Sequence, residues 1–316
     1  MITTSDVELS VKKLTKSYGD STVVNSLSFD IYRGEIFGFL GPNGAGKTTT
    51  ISMICGLLTP DKGEIFIKGA PLKRQSSTIK TIGMCPQNIV IWNNLTCLEQ
   101  SVFVGEMYGM SGEAARKRAL ELLEVMGLSD KMKSLGKTLS GGMKRRLNII
   151  LALIHDPDIV ILDEPEAGLD PQSRVFVRSF IKNLAKRKTL LLTTHDMDEA
   201  ERLSDRVAII DHGKLLVLDA PENLKKTLEG GEVLEIVTGD ISKKAVDQIK
   251  SRLLQLSLKA SYMDGLFGVR CSNAIEAAAV VLEVFKDYEV AYEDIRIRKK
   301  TLEDVFISLT GRGLRE

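Results

Sequence analysis

No apolar run in this chain approaches the ~20 residues that a membrane-spanning helix needs. The greasiest stretch, Leu147 to Ile154, is far too short. Cysteine is scarce: four residues in 316, at positions 55, 85, 97 and 271, with no C-x-x-C pair. That spacing gives no hint of a zinc site and fits a reducing compartment. The three histidines are equally dispersed. A formal net charge of +1 argues against a surface built to hold a polyanion, so nucleic acid is not an expected partner. Met1 to Leu14 mixes polar with apolar residues and does not read as a signal peptide. The chain is therefore expected to be soluble by itself, with any membrane role supplied through a partner. Internal repeats and low-complexity tracts are also lacking.

What is present centres on Gly41-Pro42-Asn43-Gly44-Ala45-Gly46-Lys47-Thr48, a full G-x-x-x-x-G-K-[ST] loop. Glu35 to Leu40 before it is short and apolar enough for a buried strand, and Thr49 to Leu58 after it reads as a helix that Pro60 ends. Strand, glycine-rich turn and helix form the context this loop requires. Its glycines free backbone N–H groups to converge on phosphate oxygens, and the helix N-terminus adds partial positive charge. Lys47 can reach the outer phosphates, and the Thr48 hydroxyl can ligate Mg2+.

Around the loop, residues 7–40 read as antiparallel strands with one buried face, and 63–69 and 81–86 as further short strands. From Leu95 to Met126 the period becomes helical, and Gly127 ends the second helix. The stripe Leu98, Val102, Phe103, Met107 and Tyr108, like the stripe Leu120, Leu122, Leu123 and Met126, is expected to be core. Ser140 caps a helix that Asp156-Pro157 breaks, and Ile159 to Asp163 is a continuously apolar, buried parallel strand. Helix 171–186, strand 189–193, helix 197–203 and a hairpin about Gly213 follow. After a linker at 221–231 the pattern restarts as β-α-β-β-α-β, with strands at 233–237, 258–263, 266–271 and 290–297, and a last helix at 302–309. The basic run 296–300 is expected to be a strand's solvated face.

The ordered set of Tyr18, the loop 41–48, Gln87, Leu139-Ser140-Gly141-Gly142-Met143, Asp163-Glu164, Gly168-Leu169-Asp170 and His195 resembles the ATP-binding subunit of ABC transporters over residues 7 to 220. The tail around Thr301 to Phe306 is similar to ABC-2-type exporter ATPases of the daunorubicin-resistance class. The resemblance implies an α/β P-loop NTPase domain over 1–220, with an antiparallel β subdomain and a helical subdomain at about 88–157. A small α+β ferredoxin-like domain over 232–316 completes the expected architecture.

The resemblance also implies roles. ATP would be held by Tyr18, stacked on adenine, by Gly41, Pro42, Asn43, Gly44, Ala45, Gly46, Lys47, Thr48 and Thr49, and across a dimer seam by Ser140, Gly141 and Gly142, with Asp170 shaping the contact. Mg2+ would be held by Thr48, Gln87 and Asp163. Glu164 would deprotonate the attacking water, with Gln87 and His195 beside it. The expected partners are an integral membrane permease subunit and a second ATP-binding subunit, a second copy of this chain. The expected location is cytoplasmic, peripheral on the cytoplasmic face of the cell membrane. Transport with a lean to export is one reading; a soluble ABC-type ATPase in a non-transport process is the alternative, and a small-molecule kinase a weaker third. Met143 stands where many relatives have Gln, and Glu166 where a small hydroxyl residue is common. The charge of Glu166 is expected to repel that of Glu164. Lys144, Arg145 and Arg146 are expected on a solvated helix face or in the dimer interface.

Overall fold

The computed structural model describes residues 6–72, 80–228 and 231–311. They divide into two compact units, one ending at Pro221 and the other beginning at Glu222.

In the first unit β1 (Val7–Tyr18) and β2 (Ser21–Tyr32) form an antiparallel pair, and β3 (Ile36–Leu40) leads into the loop and α1 (Lys47–Ile54). The helix thus begins two residues earlier and ends four residues earlier than the sequence pattern suggested. The Gly56 N–H turns back onto the Met53 carbonyl, and Gly56 sits at φ 69°, so the chain leaves the helix before Pro60 is reached. Then come β4 (Lys62–Ile67), β5 (Ala70–Pro71) and β6 (Ile82–Cys85). Two helices follow, α2 (Cys97–Met107) and α3 (Gly112–Val125), and then α4 (Gly141–Leu153). The unit finishes with β7 (Ile159–Asp163), α5 (Pro171–Ala185), β8 (Thr189–Thr194), α6 (Met197–Leu203), β9 (Arg206–Asp211) and β10 (Lys214–Asp219).

The central sheet runs β10-β9-β3-β8-β7-β6, with every neighbouring pair from β9 to β6 parallel and β10 antiparallel at the edge. Strand period decides which core each residue joins. Ile159 and Ile161 of β7 face one layer with Phe37, Phe39, Ile51 and the antiparallel sheet. Val160 and Leu162 face the other, with Leu147, Ile150, Leu123 and Val177. Apolar residues on both faces are what a parallel strand covered by two layers demands. Because β3, β6, β7 and β8 run the same way, their C-terminal ends meet at one edge.

In the helical layer the expected stripe is core only in part: Leu98 and Val102 pack against the core, but its other members turn outward. Phe103 is 45% exposed, Met107 68% and Tyr108 37%, while Cys97, Gln100, Ser101, Val104 and Gly105 are buried. The capping box of Thr96 and Glu99 sets where α2 starts, and so which face turns inward. Leu120 is likewise exposed, whereas Leu122, Leu123 and Met126 are core as expected.

The boundary falls at the first residue of α7 (Pro221–Lys226), and the second unit goes on with β11 (Glu232–Val237), α8 (Lys243–Gln255), β12 (Lys259–Met263), β13 (Leu266–Cys271), α9 (Ala274–Asp287), β14 (Asp294–Lys299) and α10 (Leu302–Thr310). Its strands lie in the order β12-β13-β11-β14, all neighbours antiparallel. Leu234, Ile236, Phe267 and Val269 pack on Ile249, Leu253, Val281 and Phe285 of the helices. The last strand starts four residues later than expected, since the Val290 N–H bonds back to the Phe285 carbonyl and finishes the turn after α9.

Within the basic run Arg296 and Lys299 are exposed as expected, but Arg298 and Lys300 are not simply solvated. Arg298 donates to the Glu235 carboxylate and grips both oxygens of Asp304, at 2.6 and 2.9 Å, joining β11, β14 and α10. Lys300 donates to the Leu228 carbonyl at 2.7 Å. Removing Arg298 leaves two carboxylates without their cation, and Asp304 is buried. Arg298→Met is expected to destabilise this unit by about 2–3 kcal/mol, read as a lower urea midpoint; an unchanged midpoint would show the network to be idle.

Candidate active site

Four strand ends deliver the site. β3 delivers the loop, β6 leads to Gln87, β7 ends in Asp163 followed by Glu164, and β8 leads to His195. β8 lies between β3 and β7, which sets the ends of those two strands about 10 Å apart, two strand spacings. A cavity of about 150 Å3 opens there, lined by Val23, Asn43, Gly44, Gly46, Lys47, Thr48, Thr49, Gln87, Asp163 and Glu164.

The loop owes its shape to glycine. Gly46 is the N-cap of α1 at φ 100°, and a Cβ there would sit 2.6 Å from the Val23 carbonyl oxygen. No side chain caps α1, so its first turn keeps N–H groups for a ligand. Lys47 is buried and folds back, its Nζ donating to the carbonyls of Gly41 and Pro42 at 2.7 and 3.1 Å. Burial pushes the ammonium below its usual range, against the opposing pull of the Glu164 and Asp163 carboxylates. Burial likewise pushes the Asp163 carboxyl up, partly countered by the bond from the Thr193 hydroxyl.

Glu164 is the hub. Its Oε2 accepts from Gln87 Nε2 at 2.9 Å, and its Oε1 lies 2.8 Å from His195 Nδ1. The backbone of Glu164 is in the left-handed region at φ 47°, a conformation that costs a non-glycine residue about 1–2 kcal/mol. It is held there from both sides: its N–H donates to the Thr193 carbonyl and hydroxyl, each at 3.1 Å, and its carbonyl accepts from Arg145 Nη2 at 2.7 Å.

The remaining expected residues lie elsewhere. Tyr18 is exposed at the β1–β2 turn, with the Lys16 ammonium 5.8 Å from its ring centre. Ser140 caps α4 by accepting from Met143 N at 3.3 Å, and Gly142 leaves room for Ser173, whose Oγ a Cβ would meet at 2.4 Å. Asp170 caps α5 by accepting from Ser173 N at 2.9 Å. None of Ser140, Gly141, Gly142 and Asp170 lines the cavity at the loop of their own chain.

Three findings were not expected from sequence. Arg145 is buried rather than solvated or free for an interface. Thr193 bonds Asp163 and Glu164 together; the Thr193-Thr194-His195 run marked the strand end but not that role. Glu166 is buried and clasped by Arg178 through two bonds, at 2.9 and 2.6 Å. That bidentate pair offsets its charge, which removes the ground for expecting it to repel Glu164.

Against this geometry stand the comparisons. Residues 24–167 match the family model described as ABC transporter. The chain is 36% identical over 310 residues to the linearmycin resistance ATP-binding protein LnrL of Bacillus subtilis strain 168, covering 98% of this chain and 100% of that protein. It is 43% identical over 319 residues to the Nod factor export ATP-binding protein I of Burkholderia orbicola, covering 96% and 97%. It belongs to the ABC transporter ATP-binding proteins. Among solved structures, an ATP-binding subunit of an ABC transporter is similar at 31% identity and TM-score 0.63, over 69% of this chain and 92% of that one. CbiO1 from Clostridium perfringens, part of the ABC transporter complex cbiONQ, is similar at 25% identity and TM-score 0.65, over 79% and 97%. An ABC ATP-binding subunit binds and hydrolyses ATP, and the cavity at the loop is where this one sets Lys47 and the loop beside the carboxylates of Asp163 and Glu164.

One buried acid nearby has a consequence for folding. Glu199 is 6% exposed, and its Oε2 accepts from the Thr194 hydroxyl at 2.6 Å. Burial pushes its carboxyl up to about 8 from the ordinary 4.5 of a free glutamate. The folded chain therefore keeps this proton where the unfolded chain has released it. Its contribution to stability is complete below 4.5 and is lost as the pH rises to about 8. Glu199→Gln is expected to flatten that decline in urea midpoints across the same window; parallel profiles for parent and variant would contradict it.

Proposed function

We propose that this chain powers export through a separate membrane permease, hydrolysing MgATP between two copies arranged head to tail. The observation that carries the shared site is the separation of its halves. Lys47, Asp163 and Glu164 line one cavity, while Ser140 and Gly141 stand exposed at the start of α4, outside it. A helix of 13 residues with an exposed N-terminus and a glycine pair is suited to a phosphate that its own chain does not supply. Asp170, capping α5 beside Gly142, would shape that seam.

Within one copy the roles divide by chemistry. The N–H groups of the loop and α1 take the phosphates, and Lys47 exchanges its carbonyl partners for phosphate oxygens. Tyr18 offers its exposed face to adenine. The donors facing the cavity from Thr48, Gln87 and Asp163 are all oxygens, which suits Mg2+ rather than a softer metal. Bound there, the ion would neutralise charge on the phosphates. Gln87 already gives its nitrogen to Glu164, so its amide oxygen is the atom that would serve the cation. Glu164 accepts the proton of the attacking water, and His195, its Nδ1 turned to Glu164, presents Nε2 toward the γ-phosphate.

The export reading draws on the relatives' names, linearmycin resistance and Nod factor export, and on their near-complete overlap with this chain. Among the described residues no helix is long and apolar enough to cross a membrane, which leaves the pathway to a permease at the cytoplasmic face. The exposed side chains Ile89, Val90, Trp92, Phe103 and Met107 are the surface proposed to meet it. The second unit, with its order β-α-β-β-α-β and four-stranded antiparallel sheet, is read as ferredoxin-like, and the domain limits as 1–220 and 232–316. Transported substrate is a property of the permease.

Glu164→Gln is expected to lower steady-state ATP hydrolysis by about 100-fold or more while a fluorescent ATP analogue still binds. Lys47→Ala is expected to weaken that binding itself. Wild-type turnover from Glu164→Gln would remove Glu164 as the base.

A further inference from the structure

Arg145 is 2% exposed, although both its neighbours, Lys144 and Arg146, reach the surface in part. A guanidinium is buried only where hydrogen bonds offset its lost hydration. Here the bonds run to backbone. Nη1 donates to the Pro86 carbonyl at 2.8 Å, and Nη2 to the Glu164 carbonyl at 2.7 Å. The negative Asp163 close by adds a favourable field. One turn further along α4, Asn148 Nδ2 reaches the Pro86 carbonyl at 3.4 Å, and Asn148 Oδ1 accepts from Val90 N at 3.2 Å.

These contacts have a geometric meaning. Arg145 and Asn148 lie three residues apart on one face of α4. Together they grip the chain before and after Gln87, at Pro86 and at Val90. The same guanidinium grips the carbonyl of Glu164, whose backbone is held in a conformation it would not otherwise favour. A planar fork that reaches two carbonyls at once is particular to arginine; lysine offers one point of charge. Three pieces of the site thus share one joint: the helix that starts at Ser140, the segment that carries Gln87, and the turn that carries Glu164.

We propose that Arg145, braced by Asn148, is a positioning residue that ties the aim of the Glu164 carboxylate to the placement of α4 and of segment 86–90. The proposal rests on the reading of Glu164 as the base.

The test compares the full chain with Arg145→Lys, Arg145→Met and Asn148→Ala, alongside Glu164→Gln, measuring kcat and KM for MgATP, affinity for a fluorescent ATP analogue, and Tm. Arg145→Lys is expected to lower kcat about 10- to 100-fold, since a misplaced reacting group costs that much, with KM and analogue affinity within about twofold of the parent. Asn148→Ala is expected to lower kcat less, again without moving KM. Should Arg145→Met fail to fold, the lysine and Asn148 variants decide. A kcat for Arg145→Lys within about twofold of the parent overturns the proposal, as does a joint loss of kcat, analogue affinity and Tm, which marks a merely structural residue. Full activity of Arg145→Lys with an inactive Glu164→Gln sinks the joint alone; an active Glu164→Gln sinks the base assignment and this proposal with it.

Discussion

Burying two consecutive carboxylates at the end of an apolar strand is the constraint to which the rest of the structure answers. Asp163 and Glu164 are 4% and 6% exposed, and the strand before them is buried on both faces. A carboxylate taken from water must be bonded or it gives up its charge. The structure bonds both. Thr193 serves Asp163 and the Glu164 backbone; Gln87 and His195 serve the Glu164 side chain; Arg145 holds its carbonyl. They come from β8 and the residue after it, from the segment after β6 and from α4, so the parallel sheet is needed to bring them to one edge. The opposite displacements of Lys47 and Asp163, one pushed down and one pushed up by burial, belong to the same desolvated cavity. A triphosphate with its cation would supply the charges such groups lack.

That crowding has a second effect. Lys47 and Gln87 are engaged in shaping the loop and aiming Glu164, and the exposed start of α4 lies outside this cavity. Under the proposed head-to-tail arrangement, this division makes hydrolysis conditional on a second copy. Arg145 sits on the same helix as Ser140, so in that arrangement the element proposed to meet the neighbour's nucleotide would also steady the proposed base.

Much of this was legible in the sequence, for physical reasons. The loop, the strand 159–163 and the cap at Ser140 are local patterns, in which a few adjacent residues dictate geometry. The strand-helix alternation of the second unit was equally plain, because its periods switch cleanly at Asp264-Gly265 and Asn273. What escaped depends on distance or phase. Glu166 and Arg178 meet across the start of α5, and no local rule pairs them. Three basic residues in a row look like a surface, yet helix phase turned Arg145 inward and left its neighbours out. The stripe from Leu98 to Tyr108 has helical spacing and Leu98 and Val102 do pack inward, but a capping box fixes which side faces the core, and Gly105 rather than Phe103 or Met107 took it. Arg298 hid in a basic run for the same reason: its partners, Glu235 and Asp304, lie on other elements.

The central claim is that a pocket for ATP is completed by a neighbouring copy. Its most direct test is a structure of the Glu164→Gln chain trapped with MgATP. The account predicts two copies related head to tail, with Ser140 and Gly141 of one within hydrogen-bonding distance of the γ-phosphate held by Lys47 of the other. ATP bound at the loop of a chain whose Ser140–Gly142 turn faces solvent in every copy would contradict it.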